Sequence, residues 1–204
     1  AALFALASPA ASADAGDAES WGPILSARLV AQQHYALARA AWARIYRLTS
    51  AQIDAPIFDA DFRTAAKRSA FDWSLAAGSL GAADIRDGGL AITYYGRDSG
   101  DLANQLLVLV PGRYRFSFVV DAGRSDIAPR LFWSMNCASG SKAKLMDAPV
   151  AATPGQRRIA VEAVVPVDCP AQTLTLRGEA GDLPAPVSVT MRDLGMQRKP
   201  AEGT

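Results

Sequence analysis

Two hydrophobic periodicities divide this chain. From Trp21 to Leu48 the apolar side chains recur at helical spacing, first as Trp21, Ile24, Leu25 and Leu29, then as Tyr35, Ala38, Trp42 and Ile45. Gln32, Gln33 and His34 separate the two sets. Spacings of three and four bring each set onto one face, so the segment predicts two helices joined by a polar turn. After Thr49-Ser50 the period shortens to two, and the apolar runs become short and bounded by Gly, Pro, Asp and Ser, the pattern of an all-β sandwich. Strands are expected near Phe71 to Leu75, Leu90 to Tyr95, Asn104 to Val110 and Tyr114 to Val120. Four more are expected near Arg130 to Cys137, Arg158 to Val165, Gln172 to Arg177 and Val187 to Met196. Shorter pieces at Ile57 to Phe58 and Lys144 to Met146 would add edges.

The same alternation assigns faces. Tyr114, Phe116, Phe118 and Val120 share one side of their strand, opposite Arg113, Arg115 and Ser117, so the aromatic side belongs to the core. Leu131, Trp133, Met135 and Cys137 likewise oppose Phe132, Ser134 and Asn136. Pro111-Gly112 between two such runs marks a turn, because Pro presets φ and Gly accepts a positive one. The chain therefore divides into a helical segment over residues 1–50, a β-sandwich over 56–199 and a tail over 200–204.

The opening run Ala1 to Ala7, followed by Ala11-Ser12-Ala13, has two readings. It has the apolar character and small-residue end of a signal segment, without an initiating Met or a basic start. The preferred reading makes it the end of a helix in a longer protein, since the helical pattern continues directly after it. No later stretch reaches the roughly 18 uninterrupted apolar residues of a membrane helix.

Charge narrows the partners. Twenty-one basic residues oppose 20 acidic ones among 204, a net charge of +1, so the chain lacks the global field that gathers nucleic acid.

Resemblances enter on particular residues. Leu25, Tyr35, Ala38 and Trp42 stand at the relative places of a tetratricopeptide-type repeat, although Gln33 replaces the usual Gly. The hairpin resembles one unit of such an array, and that implies stacked neighbours and a protein partner on its open face. An ordinary helix pair packed on the next domain fits the same residues. Further on, Phe58-Asp59-Ala60-Asp61-Phe62, Phe71-Asp72-Trp73, Leu109 to Tyr114 and the final Val187 to Met196 strand together resemble the galactose-binding-like jelly roll of carbohydrate-binding modules. The resemblance implies a mainly β jelly-roll sandwich and a polysaccharide or glycan ligand. In those modules the opening segment runs antiparallel to the last strand and its acid can help hold a structural calcium. Arg63 stands here in place of that acid, and a cation in a ligand position repels the ion it would hold. The whole arrangement also resembles carboxy-terminal regions of uncharacterised bacterial helical-repeat proteins.

Both cysteines, Cys137 and Cys169, fall in the sandwich, one at a strand end and one in a Pro-flanked bend. A disulfide, which would imply an extracytoplasmic compartment, is preferred over two buried free thiols. With only one histidine, His34, the chain does not assemble four soft ligands, and neither a metal nor another cofactor is expected.

Catalytic patterns are missing where they would be needed. His34 lies in the helical hairpin, outside the sandwich. Gly96-Arg97-Asp98-Ser99-Gly100 has the wrong spacing for a serine nucleophile loop and reads as a hairpin loop. The pairs Asp84 with Asp87 and Asp98 with Asp101 have the chemistry of glycosidase carboxylates, but loop aspartates form turns. The expectation is a non-enzymatic module that binds carbohydrate or cell-envelope glycan. The alternatives are a protein-interaction scaffold and a divergent glycan-active enzyme.

Sugar recognition needs flat aromatic faces for pyranose C–H groups and amides or guanidinium groups for hydroxyls. Trp73, Tyr95 and Phe132 are the candidate platforms; Gln105, Arg115, Arg130 and Gln172 are the candidate hydrogen-bonding groups. Competing roles are a core plug for Trp73, an edge cover for Tyr95 and a solvated face for the arginines.

Overall fold

The computed structural model describes residues 15–64, 69–122, 131–139, 143–150, 155–181 and 186–200. The apolar opening run and Arg130 lie outside these residues.

Helices α1 (Ala15–Ala31) and α2 (Tyr35–Ile45) form the hairpin. Gln33 turns the chain between them at φ 61°. Gly22 lets α1 approach α2 closely, because a Cβ there would lie 2.7 Å from Ile45 Cγ2. A third helix, α3 (Ser50–Asp54), was not expected. Its start is a reciprocal cap: Thr49 N–H donates to Gln52 Oε1 at 2.9 Å, and Gln52 N–H donates to Thr49 Oγ1 at 3.4 Å. That Thr-x-x-Gln spacing is readable in the sequence. Arg39 ties α2 to α3 by donating to the carbonyls of Ile53 and Ala55 at 3.0 and 2.7 Å. Burial draws its guanidinium pKa down, with Asp54 opposing. Among the described residues no helix is long and apolar enough to cross a membrane.

The strands are β1 (Ser74–Leu75), β2 (Gly81–Arg86), β3 (Gly89–Tyr94), β4 (Gly100–Leu107) and β5 (Gly112–Ala122), then β6 (Leu131–Cys137), β7 (Lys144–Pro149), β8 (Gly155–Val165), β9 (Gln172–Gly178) and β10 (Val187–Arg198). They form two antiparallel sheets, the first ordered β1-β4-β9-β6-β7 and the second β2-β3-β10-β5-β8. Two differences from the sequence expectation have simple causes. Strand β2 pairs with β3 through Asp87 and Gly88 at φ 53° and 64°, and two positive φ values make the tight hairpin turn that an Asp-Gly pair favours. The Ile57-Phe58 piece is not a strand but part of an irregular segment at the sandwich margin, where Asp59 and Phe62 take positive φ.

Between the sheets lie the side chains that the alternation put there. Tyr114, Phe116, Phe118 and Val120 are at most 3% exposed, and Leu131, Trp133 and Met135 are fully buried. Trp133 of the first sheet meets Phe116 and Phe118 of the second, with ring centroids at 5.8 and 6.4 Å. A separate apolar cluster holds the hairpin on the outer side of the first sheet, joining Tyr35, Ala38 and Trp42 to Phe58, Phe71, Leu106 and Ala171.

Cys137 and Cys169 are bridged, with a Cα–Cα separation of 5.5 Å across 32 residues of sequence. The bridge joins the end of β6 to the bend before β9. Restricting a loop of that length in the unfolded chain stabilises the fold by about 3.5 kcal/mol. The paired Cys137→Ser, Cys169→Ser variant is therefore expected to lose stability of this order in urea denaturation followed by tryptophan fluorescence. Thiol alkylation of the denatured parent chain should label it only after reduction.

Candidate functional site

Three residue rows cross the outward side of the first sheet. In the middle row Ser74 pairs with Asn104, Asn104 with Thr175, Thr175 with Ser134, and Ser134 with Asp147. On one flank Asp101, Arg177, Phe132 and Pro149 stand in register, and on the other Leu106, Thr173, Asn136 and Lys144. The inward positions between them, including Leu174, Leu176, Trp133 and Met135, are fully buried, so each intervening side chain projects outward.

At the Leu106 end the helical hairpin covers the sheet, and Trp42 packs edge-on against Phe58 at 4.8 Å. The rest of the face carries hydroxyl, amide and carboxylate groups around one aromatic ring. Phe132 is half-buried between exposed Arg177 and Pro149. Arg177 makes no ion pair among the described residues, so its donors remain available, whereas Lys144 is paired with Asp147 at 3.1 Å. The five strands span about 19 Å at their usual spacing of about 4.8 Å, room for an extended oligomer laid along a row.

Of the described residues proposed from sequence, Phe132 alone reaches this face; Arg130 lies outside the described residues. Trp73 is 3% exposed, its ring contacts Phe62 and Trp133, and its Nε1 donates to the Asp59 carbonyl at 3.2 Å. It is a core residue with no open ring face to stack on. Gln105, 1% exposed, clamps Phe58: its Oε1 accepts from Phe58 N–H and its Nε2 donates to the Phe58 carbonyl, both at 3.0 Å. Gln172, fully buried, accepts from Leu109 N–H at 2.9 Å and donates to the Cys169 carbonyl at 2.8 Å. Both amides thus serve the fold, supplying a backbone segment with the partners a neighbouring strand would offer.

Tyr95 and Arg115 belong to the second sheet. Tyr95, 40% exposed, follows β3 and its N–H donates to the Leu80 carbonyl. Arg115 points outward on β5 between Gln197 and Glu162. The Glu162 carboxyl is held below its ordinary pKa by hydrogen bonding and charge from Lys199 first, then by Arg113. The structure therefore separates Phe132 from Arg115 by the whole thickness of the sandwich.

Asn104, Ser134, Thr173, Thr175 and Arg177 were not singled out from sequence. Their signal was present in the period of two, since Thr173, Thr175 and Arg177 alternate with the buried Leu174 and Leu176. Predicting that β4, β9 and β6 are neighbours was the missing step.

Asp84 and Asp101 lie in strands, and Asp87 and Asp98 in the turns beside them. Asp84 and Asp87 lie in the β2–β3 hairpin; the Asp98 carbonyl accepts from Tyr94 Oη at 3.0 Å, and Ser99 Oγ accepts from Ala180 N–H at 2.9 Å. The Asp59 carboxylate is occupied by Arg63 N–H and by the N–H and hydroxyl of Thr64. No group of three metal-ligating side chains occurs among the described residues.

No family model and no curated protein matches the chain. Solved structures do. A CBM4 module is similar over 70% of this chain and 99% of its own, at 16% identity and a TM-score of 0.53. The N-terminal cellulose-binding domain of a Cellulomonas fimi β-1,4-glucanase aligns with 71% of this chain and 97% of its own, at 16% identity and a TM-score of 0.47. The CBM22-1 xylan-binding domain from Paenibacillus barcinonensis aligns with 68% of this chain and 90% of its own, at 10% identity and a TM-score of 0.46. The first of these likenesses establishes the class of fold: a jelly-roll β-sandwich of the carbohydrate-binding-module type.

The Gln105 clamp on Phe58 has a measurable consequence. Gln105→Ala leaves the Phe58 N–H and carbonyl unmet in a buried place, and is expected to lower stability by on the order of 2 kcal/mol or more. A urea titration of the variant measures this as an earlier midpoint at unchanged slope.

Proposed function

We propose that the protein is a non-catalytic carbohydrate-binding module whose ligand lies across the outer face of the first sheet. The observation that carries this reading is the register that sets Phe132 beside Arg177 and one row away from Asn104, Ser134 and Asp147, with nearly buried Thr175 between Asn104 and Ser134. The Phe132 ring offers an apolar plate for sugar C–H groups, and the polar row offers donors and acceptors for equatorial hydroxyls. An open face of this kind binds by many weak and water-bridged contacts, so several sugar residues are needed for useful affinity. The CBM4-type fold supports the reading, as a similarity of architecture. An extracytoplasmic location belongs to the same proposal and is supported by the Cys137–Cys169 bridge.

A second reading, protein contact through the helical hairpin as a unit of a helical array, is supported by Ile24 at 69% and Leu37 at 37% exposure. It leaves the first sheet's outer face unexplained.

Affinity electrophoresis of the whole chain in gels containing a neutral β-glucan, xylan or galactan tests the proposal. At least one polymer should retard the protein. Phe132→Ala should weaken that binding tenfold or more, about 1.4 kcal/mol, without lowering the melting temperature. Arg115→Ala, on the other sheet, should bind as the parent does. Absence of retardation by every polymer, or an unaltered Phe132→Ala variant, would overturn the reading.

A further inference from the structure

The outer face of the second sheet carries a separate depression of about 510 Å³, within the range of about 300–1,000 Å³ common for small-ligand sites. Its floor is made by the short side chains of Ala91, Thr93, Ser188 and Thr190 on the central strands β3 and β10. Arg86 and Arg192 stand at one side and Asp121 at the other, with Asp87 of the hairpin turn at the margin.

The arginines are brought together by a glycine. Arg86 pairs directly with Gly89 across β2 and β3. A Cβ on Gly89 would lie 3.1 Å from Arg192 Cγ and 3.2 Å from Arg192 Nε, so the Arg192 side chain lies across Gly89 towards β2. Two guanidinium groups therefore border one hollow, and the fold makes little use of their charge. Arg192 has no ion pair among the described residues. Arg86 has only a 3.8 Å contact with Asp84, in which both side chains are mostly exposed. Like charges held side by side repel, and an anion placed between them relieves that repulsion. The planar fork of each arginine suits a carboxylate.

The opposite wall favours a different group. Asp121 lies across Thr190, which pairs with it on β5 and with Ala91 on β3. A carboxylate there accepts hydrogen bonds from hydroxyls and repels a compact anion. The hollow thus holds two arginines in the Gly89 row with Asp87 beside them, Thr190 and Asp121 in the next row, and the hydroxyls of Thr93 and Ser188 one row further on. A ligand matching both ends needs a carboxylate and several hydroxyls on one small ring.

We infer that this depression is a second site, selective for uronic-acid residues of an acidic polysaccharide. It is independent of the Phe132 face: the two lie on opposite sides of the sandwich, and this one has no aromatic platform on its floor.

Affinity electrophoresis of the whole chain in polygalacturonate gels, with titration calorimetry against galacturonate oligomers, tests the inference. Retardation that weakens with added salt is expected, together with a tenfold or greater rise in Kd for Arg192→Ala and for Arg86→Ala. Gly89→Ala retains every charge but crowds Thr190 Cγ2 at 2.9 Å and displaces the Arg192 side chain, and should weaken binding while the melting temperature shows the chain folded. Three results would overturn the site: no retardation by the uronate polymer, retardation that survives Arg192→Ala, or displacement by inorganic phosphate as readily as by galacturonate, which would mark a bare anion site. Loss of uronate binding in Phe132→Ala would also overturn it, by moving the ligand to the first sheet. Failure here with neutral polymers still bound would leave the Phe132 proposal standing.

Discussion

The contact between Trp133 and the second sheet sets the geometry of everything outside it. Trp133 is fully buried on β6, faces Phe116 and Phe118 of β5, meets the Trp73 ring, and donates its indole N–H to Met191 sulfur on β10. Side chains alternate along a strand, so anchoring this ring inward forces Phe132 and Ser134 outward. The same rule on β5 sends Arg115 and Ser117 outward opposite Phe116. A one-residue slip of β6 would bury the polar row and expose the aromatic core, which is why the register is strongly specified.

Polar groups inside the structure then close the margins of the sandwich. Gln105 and Gln172 each present an amide to a chain segment that no strand reaches, and between them they hold Phe58, Leu109 and the Cys169 bend. The disulfide secures that bend to β6. With Phe58 held, the Trp42 side chain has an aromatic surface to pack against, and the hairpin settles over the Leu106 end of the first sheet. The hairpin thus both completes the fold at that end and walls one side of the Phe132 face.

The two outer faces differ in chemistry because their central residues differ in size. On the first sheet, bulky Phe132 stands beside long Arg177, giving a plate with polar flanks. On the second, short side chains such as Ala91 floor a hollow, and Arg192 leans across the neighbouring Gly89. Arg113 and Lys199, by contrast, are drawn to Glu162 and favour the charged form of its carboxyl, so these two basic residues are already engaged.

What the sequence determined by itself was everything that depends on local period. The helical spacing of Tyr35, Ala38 and Trp42 and the alternation around Phe116 and Trp133 told which faces are apolar. Local chemistry told more than was read from it, since Thr49-x-x-Gln52 announces α3 and Asp87-Gly88 announces the β2–β3 hairpin. Burial of a polar or amphipathic side chain was not legible in the same way. Trp73, Gln105 and Gln172 have the chemistry of sugar-binding residues, and only the packing of distant segments made them core and clamps, because hydrogen-bond partners such as the Phe58 and Leu109 backbones lie 47 and 63 residues away. Strand order was decided at the same level: β4, β9 and β6 are far apart in the chain, and their pairing alone assembles Asn104, Thr175 and Ser134 beside Phe132.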